Sequence, residues 1–224
     1  MKRLIISLFL VSLLGCACNK AEENNPQLIT TNGIRISVEP GEYWAEKKKI
    51  FIFTLDRTPQ MAAWIENSQG HYISTITVTN RSGKQNWIML IAPKEGRPEA
   101  LPVWFHRINN DKSQIDGVTS ATPKGAVEIK IDNNSLINGH EYNVYLEINQ
   151  SFDFNETWPE HKDDVNGQPS LIYYAKFIAG VPGKIELNPI GHGSANGSDG
   201  NITLELGGIT TALKIIKDVY IIID

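Results

Sequence analysis

Short stretches in which apolar and polar residues alternate recur along most of the 224-residue chain. Residues 34–38, 127–131 and 142–148 alternate cleanly, and a period of two is typical of a strand with one buried face. Residues 50–55 are mostly apolar, which predicts one strand buried on both faces. Further strands are predicted at residues 61–66, 72–78, 86–92, 171–179, 184–187, 202–206 and 219–223.

The clearest hairpin joins residues 61–66 to residues 72–78 through Asn67-Ser68-Gln69-Gly70, a run of turn-forming residues. Short strands separated by Gly, Pro, Asn and Asp are typical of an antiparallel β-sandwich. We therefore predict an all-β fold, with an immunoglobulin- or fibronectin-like sandwich as a candidate topology. Residues 95–104 contain two prolines and fit at most one helical turn, and residues 188–201 are predicted to form a long loop.

The N-terminal segment has the pattern of a targeting sequence. Lys2 and Arg3 precede an apolar run at 4–14 that is shorter than the ~20 residues a membrane-spanning helix needs. The run ends Leu13-Leu14-Gly15-Cys16, which resembles the bacterial lipobox, in which cleavage leaves the cysteine as a lipid-modified N-terminus. We expect a signal peptide at 1–15, a flexible polar tether at 16–31 and a single sandwich domain at 32–224; an ordinary secretory signal cut elsewhere is the alternative.

Charge and cysteine content exclude several classes of function. The net charge is −4 and the basic residues cluster only at Lys47-Lys48-Lys49, so nothing indicates nucleic-acid binding. If Cys16 is acylated, Cys18 has no partner within the chain and no disulfide forms. Two cysteines are too few for an iron–sulfur cluster or a thiolate zinc site, and no Cys-x-x-Cys-His motif for covalent haem occurs.

The most unusual run is Asp116-Gly117-Val118-Thr119-Ser120-Ala121-Thr122-Pro123. The Asp-Gly pair favours a bend, the side chains from Ser120 to Thr122 are all small, and the proline keeps Thr122 out of the helical region. The run resembles the acceptor motif of proteins that carry covalent flavin mononucleotide (FMN), with Ser120 in place of the more usual Gly. The resemblance implies that Thr122 is the acceptor and that the other cofactor-site residues are Asp116, Gly117, Thr119, Ser120 and Ala121. A plain small-residue loop between strands is the alternative.

A wider resemblance covers residues 34–180. The Trp64-Ile65-Glu66-Asn67 hairpin, the Leu101-Pro102-Val103-Trp104 segment, the loop at Asp116 and the Glu147-Ile148-Asn149 strand end resemble a family of predicted periplasmic proteins known as domain of unknown function 2271. That family has no established activity. Its members resemble companions of flavin transferases and of membrane flavin or haem reductases, which implies extracytoplasmic redox chemistry by association.

Other candidate residues are fewer. His106 and Arg107 precede the acceptor-like run, so an aromatic ring there could cover a flavin and the guanidinium could meet its phosphate; the alternative is a strand with a buried Trp104 and an exposed Arg107. Oxygen-bearing side chains are dense at 147–156, which fits either a hard cation or a polar loop with turn-forming hydrogen bonds, and we favour the loop. No catalytic residue and no metal ligand is assigned.

These observations predict a lipid-anchored protein of the bacterial cell envelope, an outer-membrane lipoprotein facing the periplasm or the cell surface. It would carry covalent FMN in electron transfer rather than act as a stand-alone enzyme, with a flavin transferase and a membrane redox protein as partners. The rival is a non-catalytic binding module that uses an aromatic surface near Trp104 and Phe105. A third class, a glycan-handling lipoprotein, would need exposed aromatic side chains on one face.

Overall fold

The computed structural model describes residues 33–50, 53–87, 97–108, 119–120, 125–132, 135–161 and 165–224. Within these residues the protein is mostly β, with two packed sheets, few helices and no barrel, as an all-β sandwich requires. The predicted fold class is thus confirmed, and the immunoglobulin-like topology stays a prediction.

Twelve strands and two short α-helices are described. The strands are β1 (Ile34–Pro40), β2 (Glu46–Ile50), β3 (Phe53–Arg57), β4 (Gln60–Asn67), β5 (Tyr72–Thr79), β6 (Thr119–Ser120), β7 (Val127–Lys130), β8 (Glu141–Asn149), β9 (Leu171–Ile178), β10 (Gly183–Glu186), β11 (Asn188–His192) and β12 (Ile216–Ile223). The helices are α1 (Asn80–Lys84) and α2 (Pro102–Arg107), and 3-10 turns occupy Pro98–Ala100 and Thr211–Lys214.

One sheet has four strands in the order β10-β12-β1-β7, all antiparallel. In β1 the alternation predicted from sequence is visible in the packing, because Ile34, Ile36 and Val38 are buried while the residues between them are partly exposed. Ile36 lies opposite Ile221 of β12. Branched side chains on neighbouring strands pack well on a pleated surface, and they form this sheet's half of the main core.

The second sheet has six strands in the order β11-β9-β8-β4-β5-β6 and is antiparallel except for β6, which runs parallel to β5. The predicted hairpin is its β4–β5 pair. Its turn closes as the residue types require: the side-chain carbonyl of Asn67 accepts hydrogen bonds from the backbone N–H groups of Gln69 (3.0 Å) and His71 (2.9 Å). Gly70 has φ +80°, a conformation that favours glycine.

The two faces of the six-stranded sheet contact different layers. Its inner face packs on the four-stranded sheet through residues such as Val144, Leu146 and Ile148, which are fully buried. Its outer face carries a second, smaller cluster in which Trp64 and Ile172 pack against Val103 and Trp104 of α2. Both faces are therefore covered along part of the sheet.

Three sequence predictions are corrected by the structure. The single strand expected at 50–55 is instead the antiparallel pair β2–β3, in which Ile50 lies opposite Phe53. The strand expected at 202–206 is only an isolated bridge between His192 and Thr203, and the loop expected at 188–201 begins with strand β11. An apolar run that belongs to two paired strands resembles one longer strand, because periodicity does not mark where one strand ends and the next begins.

Candidate functional site

The acceptor-like run begins on a sheet edge. Thr119 and Ser120 form β6, whose backbone pairs in parallel with Val78 and Thr79 of β5. In the part of the chain that the structure describes, β6 has no second neighbour and is the last strand of the six-stranded sheet. The remaining residues predicted to form the site lie outside the described residues: Asp116, Gly117, Ala121 and Thr122.

The strand beside β6 is held by buried hydrogen bonds. The hydroxyl of Thr79, which is fully buried, donates to the side-chain oxygen of Gln60 at 2.9 Å and accepts from the backbone N–H of Met61 at 3.2 Å. The hydroxyl of Ser82 in α1 donates to the same Gln60 oxygen at 3.1 Å. These bonds join β4, β5 and α1. Ser120 therefore pairs with a strand end that buried hydrogen bonds hold in place.

Helix α2 lies on the outer face of the sheet and is fixed there by Glu147 of β8. Pro102 occupies its first turn, where a missing N–H costs nothing. The Glu147 carboxylate accepts hydrogen bonds from the backbone N–H groups of Val103 (3.1 Å) and Trp104 (2.7 Å) and from the hydroxyl of Ser170 (2.6 Å). Full burial raises the pKa of Glu147 to about 7, although the bonds from Ser170, Trp104 and Val103 oppose that shift.

His106 and Arg107 lie in the C-terminal turn of α2. This segment is a helix and not the strand that the alternative interpretation assumed. The Arg107 guanidinium forms an ion pair at 3.0 Å with Glu66, whose side chain is 3% exposed. A ring nitrogen of His106 lies 3.1 Å from the carbonyl oxygen of Gly197. Both side chains therefore already have partners within the fold.

The structure does not bring these two residues together with the described part of the acceptor-like run. Glu66 pairs with Tyr72 at the start of β5, whereas Thr119 pairs with Val78 near its end. Val78 follows Tyr72 by six positions along the strand, which corresponds to roughly 20 Å. Arg107 thus lies at the opposite end of β5 from Ser120.

The aromatic surface expected near Trp104 and Phe105 is only partly present. Trp104 is 1% exposed, and its indole N–H donates to the hydroxyl of Thr75 at 2.9 Å, so it belongs to the outer cluster. Phe105 is partly exposed, and so are Tyr145 and Tyr174 on the same face, whose ring centroids lie 5.0 Å apart. Tyr145 also stacks on the buried Trp64 at 5.1 Å. The pKa of Tyr145 is raised to about 12, mainly because its hydroxyl is partly buried and to a lesser extent because the Glu66 carboxylate is near.

The oxygen-rich run at 147–156 is divided between two structural roles. Glu147 and Asn149 are buried on β8, whereas Asn155 forms a turn in which its side-chain oxygen accepts from the backbone N–H groups of Thr157 and Trp158, both at 2.9 Å. The interpretation as turn-forming hydrogen bonds is confirmed for Asn155. Within the described ranges, no group of three or more His, Cys, Asp or Glu side chains is arranged to hold a metal ion.

Sequence reasoning missed that Glu147 and Glu66 are buried on this face, where both are bonded to residues of α2. Both are carboxylates at outward positions of strands, a pattern that ordinarily indicates solvent exposure, yet both are buried. The Pro102 that opens α2 was the available signal for a helix on this surface.

None of the described helices is long and apolar enough to cross a membrane.

Comparison with known proteins gives no relative: no family model matches the chain, and no curated protein or solved structure is significantly similar to it.

Proposed function

We propose that this protein is a lipid-anchored carrier of covalent FMN in extracytoplasmic electron transfer, with Thr122 as the attachment residue. The observation that carries the proposal is the run from Asp116 to Thr122, whose Thr119 and Ser120 form an edge strand. A hydroxyl can be modified only if it enters the active site of a transferase. A motif that continues from an edge strand meets that requirement better than one within a sheet, because none of the described strands covers its open side.

The position of β6 supports a flavin at this end of the sheet. Thr122 follows Ser120 by two residues, and two residues of chain span at most ~7 Å. Ser120 itself pairs with Thr79, whose hydroxyl is bonded to Gln60. These hydrogen bonds hold the strand from which the motif continues, and the flavin would supply the redox chemistry.

Attachment is a phosphoryl transfer from flavin adenine dinucleotide. The oxygen of Thr122 forms a bond to the phosphorus of the FMN half, and the bond from that phosphorus to the bridging oxygen of the pyrophosphate breaks. AMP leaves with the bridging oxygen, and the hydroxyl proton is released. A separate flavin transferase would catalyse this step, and a membrane redox protein would exchange electrons with the attached flavin.

The decisive experiment is co-expression of the full chain with a flavin transferase, followed by intact-mass measurement and in-gel flavin fluorescence. We expect one FMN per chain on the wild type and none on Thr122→Ala. Ser120→Gly is the matched control, because it changes a neighbouring small residue to the one more usual in the motif and should preserve labelling. An unlabelled wild-type chain, under conditions that modify a known acceptor, refutes the carrier function.

Membrane attachment through Cys16 is tested separately. Radiolabelled palmitate should be incorporated into the wild-type chain and not into Cys16→Ala, and the variant should be released from the membrane fraction. Incorporation into the variant would mean that a different residue carries the anchor. This result does not depend on whether Thr122 is modified.

A second candidate, a non-catalytic binding module, is favoured by one observation: Tyr145 and Tyr174 form a partly exposed aromatic pair on the outer face. Aromatic rings in such a position can stack on the face of a sugar. A polysaccharide array tests it, with wild type expected to bind and Tyr174→Ala expected to bind at least tenfold more weakly. Equal signals from both proteins would remove this candidate.

A further inference from the structure

One edge of the four-stranded sheet is the short strand β10. In the sheet order it lies outside β12 and has no second neighbour among the described strands. The backbone N–H of Leu187, just beyond the strand, donates to Val219 of β12 at 2.9 Å. Antiparallel pairing alternates, so Ile185 also bonds toward β12, and the N–H and C=O groups of Lys184 and Glu186 point away from it.

These outward groups form a pattern that complements itself. If a second β10 ran antiparallel to the first with Ile185 opposite Ile185, each Lys184 would lie opposite the Glu186 of the other copy. Lys184 and Glu186 are also the residues whose backbone groups face outward, so the same register forms the hydrogen bonds and two ion pairs. Pro182 lacks an N–H and limits the paired stretch to the residues that follow it.

Apolar side chains are exposed beside this edge. Ile178 is 43% and Val181 is 52% exposed, and both line an open cleft of about 350 Å³ together with Gly183, Lys184 and Ile185. Leu204, the other large apolar side chain exposed in the described part of the chain, is not among the residues of that cleft. Apolar surface next to an open strand edge is typical of an interface.

Lys184 is positioned for such an interface without losing its present contact. Its ammonium group lies 3.7 Å from the centre of the Tyr220 ring on β12, and Glu186 is the residue directly opposite Tyr220. Lys184 and Glu186 therefore lie on the same face of the sheet, and a carboxylate from a second copy would meet Lys184 on the side away from β12.

We propose that two copies of this chain associate through their β10 strands, joining their four-stranded sheets into one continuous sheet with a two-fold axis at Ile185. The interface is small, so the dimer is expected to be concentration-dependent rather than permanent. The proposal does not depend on the flavin.

The test is sedimentation velocity of the full-length chain in nonionic detergent over a range of concentrations. We expect a dimer whose fraction grows with concentration. Lys184→Glu and Glu186→Lys each replace two attractive pairs by two repulsive ones and should each weaken dimerisation roughly tenfold. The double charge swap restores both pairs, and its lysine at 186 lies opposite Tyr220, so dimerisation should recover.

Val181→Glu places a charge beside the paired strands and should also weaken the dimer, while Leu204→Glu is the matched control and should not. Thermal unfolding of each variant checks that the fold is retained. A chain that stays monomeric at every concentration overturns the proposal. So does a dimer that the single variants leave unchanged, or one that the double swap fails to restore, because then another surface or register holds it.

Discussion

The inner and outer faces of the six-stranded sheet are built from the same strands by different chemistry. On β8, Val144 and Leu146 point into the main core, whereas Asn143 and Glu147 point to the outer face, and all four are buried. The inner face needs only apolar neighbours of the right volume. The outer face buries carboxylates, which requires a specific hydrogen-bond partner for each. The contribution of the inner face to the free energy of unfolding should therefore depend less on pH and salt than the contribution of the outer face.

The largest effect is expected from the inner face. Leu146→Ala removes a fully buried side chain from between the two sheets and should lower the free energy of unfolding by about 3 kcal/mol. Urea denaturation measures this. Leu204→Ala, at a side chain that is 76% exposed, is the matched control and should change stability little. A loss below about 1 kcal/mol for Leu146→Ala would mean that the sheets do not share a packed core.

The outer face should show a pH dependence that the inner face lacks. Because the pKa of Glu147 is raised to about 7 from an ordinary 4.5, the folded state binds a proton more tightly than the unfolded state between those values. Its contribution to stability is therefore present below about pH 4.5, is lost as the pH rises toward 7 and is constant above that. The loss is at most about 3 kcal/mol.

Glu147→Gln isolates this contribution, because the amide has the shape of the carboxyl group and does not titrate. Unfolding free energies of the wild type and the variant should be measured from pH 4 to pH 8. Subtracting one profile from the other removes the other carboxylates, and the difference should fall with rising pH. A difference that is independent of pH would show that Glu147 keeps its ordinary pKa and that the bonds from α2 and Ser170 offset its burial.

The two faces also differ in how far the sequence predicts them. The period of two in 142–148 correctly predicts β8 and its apolar inner side. The same alternation presents Glu147 as a solvent-facing residue, because a pattern within one strand contains no information about a helix contributed from residues 102–107. The hairpin at Asn67 was predictable because its signal is local. The covering of the outer face arises from tertiary contacts that no short window of sequence contains.

The acceptor-like run shows a second limit of prediction from sequence. Its resemblance to an FMN acceptor motif is a property of seven consecutive residues, and the sequence alone was enough to propose Thr122. The further assignment of His106 and Arg107 assumed that residues close in sequence lie close in space. In the fold, α2 crosses the sheet so that Arg107 meets Glu66 at the far end of β5. Arg107 therefore does not lie beside Thr119 and Ser120, the described part of the run, although it precedes them closely in sequence.

A smaller effect is expected from the ion pair at that far end. Arg107→Ala removes the ion-pair partner of the buried Glu66, which still accepts a hydrogen bond from the indole N–H of Trp64 at 3.0 Å. Losing one partner of a buried charge is costly, but Arg107 is 41% exposed and water can replace part of its contribution. We expect a loss of about 1 kcal/mol in urea denaturation. An unchanged unfolding free energy would mean that solvent already screens this pair completely.

The smallest effect should come from the ion pair between Lys176 and Glu141, which lies on the same outer face where α2 no longer covers it. Its atoms are 2.8 Å apart, shorter than the Arg107–Glu66 contact, yet both side chains are about half exposed. Lys176→Ala should lower the free energy of unfolding only slightly, and 1 M salt should remove that loss because it shortens the screening length to ~3 Å. The cost of Arg107→Ala should largely persist in the same salt. If the two variants respond alike, distance rather than burial sets the strength of these pairs, and the covered part of the outer face is not electrostatically different from the open part.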